Sequence, residues 1–194
     1  MDNINSSDAD IAENFNDEMR EYAASAVSNG IALEERVSAI EGVKTLTKCV
    51  LTVSPHLDED NRERTLKRLV LTHTELLGGL LPLLKPGKTV DAALLGERIA
   101  VVRAALMALL GLGRSPSVSW EHQVELATAV DQITKPASDL ARRLLNWRQH
   151  EYQWLESALV DLAFEVILLV SLATTFLVEV DDMVNQIVWR AGPA

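Results

Sequence analysis

Apolar residues recur along this chain at helical spacing, and nowhere do they alternate with polar ones over a run long enough for a strand. Ile11, Phe15, Met19, Tyr22 and Ala26 are spaced four, four, three and four, which puts them on one face of a helix over 8–28. "SNG" ends that helix. Leu33, Val37, Ile40, Leu46 and Val50 line a second one from Ile31 to Val53, with Glu34, Glu35, Arg36 and Glu41 expected to face water. Ser54–Pro55 breaks the chain. A third helix starts near Asp58, where three acids sit at the positive end of its dipole, and it turns Leu66, Leu69, Val70, His73, Leu76 and Leu77 inward. Val90 to Leu112 is a fourth, with Thr89 as its expected cap. Ser119 opens a fifth, which "KPAS" at 135–138 is expected to interrupt, with Ser138 capping the next helix. From Asp139 to Arg190 there is neither Gly nor Pro, so one very long helix is expected, or two with a break near His150 or Glu179.

The stretch "ALVDLAFEVILLVSLATTFLVEV", Ala158 to Val180, decides between a soluble and a membrane protein. Between Glu165 and Glu179 lie 13 uncharged residues, where a spanning helix needs about 20. Extending the segment admits Asp161 upstream and Asp181 and Asp182 downstream. Each acid near a bilayer centre costs on the order of 3 kcal/mol. No Lys or Arg lies between Arg148 and Arg190, so the basic flank of a spanning helix is missing too. The segment is therefore expected to be a central helix surrounded by the others. A seam between two copies ranks next, and membrane insertion after that. The predicted fold class is an all-α, single-domain bundle of about six helices with a long, apolar C-terminal central helix. Its expected limits are a disordered tail over 1–7, the helical domain over 8–190 and a flexible C-terminus over 191–194.

Composition fits that fold: apolar residues are 48%, charged residues 24% and aromatics only 5%, so the core is built mainly of Leu, Val, Ala and Ile. The net charge of −10 repels phosphate backbones and anionic membrane surfaces, which argues against nucleic acid and membrane as partners. It suits a protein partner with basic character. The single cysteine, Cys49, rules out an internal disulfide and any CxxC site, and agrees with the cytoplasmic location expected here. "MDNINSSDADIAENF" lacks the basic start and apolar run of a secretory signal.

Catalytic motifs are missing. The residues three before the four histidines are Val53, Val70, Ser119 and Trp147, so no Glu-x-x-His pattern exists. HExxH, the complete GxxxxGK[ST] loop and GxSxG are also absent. No metal, cofactor or catalytic set is expected, and the chain reads as a non-enzyme. "RLVLTH" (Arg68 to His73) and "RLLNWRQH" (Arg143 to His150) each place four to six residues between an Arg and a His. These two short stretches resemble the HEPN ribonucleases. The resemblance implies RNA cleavage, with His73 or His150 at its centre.

"NWRQHEYQW" looks more like an interaction patch. Trp147 and Trp154 are seven apart on one helical face, with Arg143 and Glu151 beside them. Trp and Arg are common interface anchors, so Arg143, Trp147, Glu151 and Trp154 are the expected partner-binding residues. The acidic first helix offers a second surface. The function expected from the sequence is a non-enzymatic, acidic, helical protein-interaction module, immunity- or antitoxin-like or adaptor-like, that self-associates into a homo-oligomer. A membrane-inserting, pore-forming helical protein is the alternative, and a HEPN-type ribonuclease the next.

Overall fold

The computed structural model describes residues 3–87, 90–148 and 156–191. They form six helices and no strand: α1 (Asn3–Val27), α2 (Leu33–Val53), α3 (Glu59–Leu80), α4 (Ala92–Gly113), α5 (Trp120–Arg148) and α6 (Glu156–Ala191). Short 3-10 turns at Ser54–His56 and Leu81–Leu84 follow α2 and α3, each started by a proline. The all-α class and the long apolar last helix are as expected.

Helix starts follow local chemistry. Asp58 caps α3: its carboxylate accepts from the Asn61 amide at 2.9 Å and from the Asn61 side chain at 2.7 Å. Those bonds favour the charged form and hold the Asp58 carboxyl below its ordinary value. Asp91 caps α4, accepting from the Ala93 and Leu94 amides at 3.0 and 3.1 Å. The expected cap Thr89 lies outside the described residues. α1 begins at Asn3, so helix reaches into the segment expected to be a disordered tail over 1–7. No Gly or Pro stands there to stop it.

Two expectations are corrected by packing. Arg36 does not face water: it is buried, and its guanidinium donates to the Ser28 carbonyl, 2.5 Å away, just past the end of α1. A cation there complements the helix's negative end. And α5 runs unbroken through Pro136. The proline costs one backbone hydrogen bond, but Ile133, Ala137, Leu140, Ala141 and Leu144 continue one buried stripe across it. Ser138 does not cap a new helix; its hydroxyl bonds back to the Thr134 carbonyl at 2.7 Å. The break expected near His150 falls within residues 149–155, which are not described.

The helix at the centre is α4. It touches α2, α3, α5 and α6. Ile99, Val102, Ala105, Leu106, Leu109 and Leu112 are all buried in one continuous apolar core. By contrast α6 lies at the side of the bundle, against α5 along its length and against α4. α4 and α6 run parallel, since their contacts climb together: Gly96 beside Leu162, Arg103 with Glu165, Gly113 under Phe176, Arg114 with Glu179. Gly113 is needed for that approach, because a Cβ on it would stand 2.5 Å from the Phe176 ring.

Candidate functional site

α6 is apolar on two faces. Leu159, Ala163, Val166, Leu169, Ala173, Phe176 and Val180 are buried against α5 and α4 at three- and four-residue spacing. The opposite face is open to solvent: Phe164 is 61% exposed, Ile167 41%, Leu168 56% and Val178 54%. The enclosure expected for this segment is therefore only half present, with Leu168 facing outward and Leu172 half-buried. The reason is the number of neighbours. A helix apolar around most of its circumference needs protein on every side, and α6 has two helices on one side.

Two of the acids beside the open face are paired. Glu165 pairs with Arg103, and Glu179 takes Arg114 in a two-point contact at 2.8 and 3.0 Å. Both acids flank the stripe on the α4 side, so each arrives already neutralised. Met107 of α4, which lies between the two arginines in sequence, is 51% exposed. Ser171, Thr174 and Thr175 sit mid-face, and their hydroxyls donate back to the Ile167, Val170 and Ser171 carbonyls at 2.9, 2.8 and 2.9 Å. Satisfied within the helix, they present little unmet polarity outward. The pattern matches an interface core: apolar and small residues with charge kept to the rim.

The sequence-predicted site is brought together only in part. Arg143 is exposed on α5, over a cavity of about 460 Å³ whose other walls include Lys85, Pro86, Lys135 and Pro136. Trp147 is half-buried and packs against the apolar core. Glu151 and Trp154 lie outside the described residues. Nothing in the sequence singled out Phe164 and Leu168 as exposed, since their run of neighbours reads the same for a buried helix.

The ribonuclease reading loses one of its two histidines. His73 is 1% exposed. Its Nδ1 contacts the Leu69 carbonyl at 2.9 Å and its Nε2 the Thr47 hydroxyl at 3.1 Å. Burial pushes its pKa down to about 4, partly offset by the Leu69 bond. Arg68 points elsewhere, to Glu13 at 2.9 Å and Asp17 at 2.6 Å. A five-residue step on a helix turns about 140°, so Arg68 reaches the surface where His73 reaches the core. His150 is outside the described residues. Among the described residues no group of three or more His, Cys, Asp or Glu converges as for a metal ion.

No protein-family model and no curated protein sequence matches the chain. Among solved structures it is similar to one from work on the computational design of self-assembling cyclic protein homooligomers. That chain is 16% identical at a TM-score of 0.35, over 93% of this chain and 72% of the other. Similarity at that level carries no argument about this chain.

Proposed function

We propose that the protein is a non-enzymatic, cytoplasmic interaction module that self-associates, with the outer face of α6 as its contact surface. The observation that carries this reading is the open stripe of Phe164, Ile167, Leu168 and Val178, flanked by Glu165 and Glu179, which are paired with Arg103 and Arg114. Contiguous exposed apolar surface on a soluble chain marks a place where something docks. The acidic remainder of the surface, with a net charge of −10 overall, keeps copies apart everywhere else. An immunity-, antitoxin- or adaptor-like role, with a basic protein as a further partner, is the finer form of the same proposal. Light scattering after size exclusion tests it. The wild type elutes as a self-assembled species, and Phe164→Glu with Leu168→Glu elutes at the chain mass with an unchanged helical circular dichroism spectrum. A wild type that stays monomeric at every concentration, alone or in mixtures with basic proteins, defeats it.

Membrane insertion is the second reading. The observation in its favour is that α6, over Ser157–Arg190, is long and apolar enough to cross a membrane by length and composition, with 33% of its most apolar window buried. Dye release from vesicles separates the two. Release that rises as the solution is acidified supports insertion. Intact vesicles from neutral to acid pH remove it.

A further inference from the structure

The cavity of about 460 Å³ beside α5 gathers cations on a chain that is short of them. The whole chain carries 28 acids against 18 Lys and Arg. Around this cavity the balance is reversed: Lys85, Lys135 and Arg143 line it together with one acid, Asp139. Asp139 is already held, because the Arg142 guanidinium donates to it at 2.5 Å. Lys135, Asp139 and Arg143 are four residues apart and so follow one side of α5. Lys85 comes from the other wall, at the end of the 3-10 turn Leu81–Leu84, where its amide donates to the Pro82 carbonyl at 3.1 Å. Among the described residues neither lysine has an ion-pair partner. Like charges around one hollow raise one another's energy, and an anion between them lowers it.

The rest of the lining is apolar and stiff. Leu84 and Leu140, each 1% exposed, belong to the core side of the cavity. Pro86 and Pro136 are half-buried beside them. Helix interiors tolerate proline least of all residues, yet Pro136 ends no helix, since α5 runs on through it. The buried stripe explains why α5 survives Pro136 and leaves open why a proline stands there. A place in the wall of a ligand cavity supplies the reason: its ring offers apolar surface that has no rotamer freedom to lose on binding.

We infer that this cavity binds a small organic anion, its carboxylate or phosphate head among Lys85, Lys135 and Arg143 and its apolar body against Leu84, Leu140 and the two prolines. The volume lies within the range of small-molecule sites, about 300–1,000 Å³, whose usual make-up is an apolar lining with a few convergent polar groups. Arg143 suits the head, because a guanidinium meets a carboxylate or phosphate at two points. A nucleic-acid strand does not fit: it would run past the cavity onto a chain with a net charge of −10. The site does not depend on self-association through α6, and either can fail without the other.

Equilibrium dialysis of the full chain against 1-naphthoate and 1-naphthyl phosphate, read by naphthyl fluorescence, tests the inference. At least one of the two binds at one per chain, and the tighter of them names the head. Arg143→Gln and Lys135→Gln, both changes at exposed positions, each weaken binding about tenfold with an unchanged helical circular dichroism spectrum. Leu168→Glu binds as the wild type does, which separates the cavity from the open face of α6. Pro136→Ala raises the urea midpoint and weakens binding, the trade expected of a proline kept for a site. Absence of binding of both anions up to millimolar concentration overturns the inference. So does an affinity that neither charge variant changes, one lost in Leu168→Glu, or one undiminished in Pro136→Ala. Uncharged 1-naphthol or inorganic phosphate binding as tightly as the naphthyl anions overturns it as well, since one lacks the head and the other the apolar body.

Discussion

Two helices of this protein carry almost uninterrupted apolar sequence, and they end in opposite places. α4 sits inside, touching four of the other five helices. α6 sits at the side, with one face packed and the other open. The difference is not in hydrophobicity. α4 breaks its apolar run with Glu97, Arg98 and Arg103, and its exposed edge is narrow; α6 spans a longer stretch without a charge. A helix at the centre of a small bundle is enclosed by the number of elements around it. α6 is paired mostly with α5 and touches α4, and among the described residues no other helix covers its second face. The lesson is that an apolar helix reports a need for partners, and the chain's own topology decides whether it supplies them.

The contrast breaks most readily in the core. Leu109 is fully buried in α4 and Leu168 is open on α6. Leu109→Ala lowers unfolding stability by about 2–5 kcal/mol. Leu168→Ala, measured dilute enough to keep chains apart, changes it by less than about 0.5 kcal/mol. Urea denaturation of the two variants settles the point, and equal losses would erase the distinction between the helices.

Acid sharpens the comparison next. α6 buries no titratable side chain among its described residues, while α3 buries His73. The His73 pKa drops from 6.5 unfolded to about 4 folded. Folding therefore excludes a proton that the unfolded chain binds between those values. Stability from this source is full above pH 6.5, falls as pH drops toward 4, and levels off below it, a loss of about 3 kcal/mol. Asp58, held below its ordinary value, adds a smaller loss as pH falls through its folded pKa. Urea midpoints across this range fall in the wild type, and the decline between pH 6.5 and 4 flattens in His73→Gln, although that variant starts lower. A parallel decline in both proteins would place the titration elsewhere.

The α4–α6 contact itself comes next. Gly113→Ala pushes a methyl to within 2.5 Å of the Phe176 ring and costs about 1–3 kcal/mol. Phe176→Leu in the same chain recovers part of that loss, as a double-mutant cycle will register. The smallest effect belongs to the ion pairs. Arg114 and Glu179 are each nearly half exposed, so breaking that pair by Arg114→Ala costs at most about 1 kcal/mol. Its larger consequence is for association, since an unneutralised Glu179 then borders the open face of α6.

Much of the fold was legible in the sequence. The helical spacing of Leu66, Leu69, Val70, His73, Leu76 and Leu77 gave the buried side of α3 correctly, and Asp58 was recognisable as its start. Pro136 misled because a local rule about helix breaking was outweighed by a buried stripe that only the packed partner helices make visible. Arg36 misled for the same reason: its partner, the Ser28 carbonyl, belongs to a different helix end. The candidate site was the least legible part. Phe164 and Leu168 read as core because the residues around them are apolar, and exposure depends on which neighbours the topology brings. The aromatic patch at 147–154 drew attention by composition, yet Trp147 spends its indole on the core.

One measurement bears on the central claim more directly than the rest: the solution mass of the wild type and of Leu168→Glu across a wide range of concentration. The account predicts a mass well above one chain for the wild type at high concentration, falling on dilution, and the single-chain mass for the variant throughout. A wild type that remains a single chain at millimolar concentration, or a variant that assembles as well as the wild type, contradicts it.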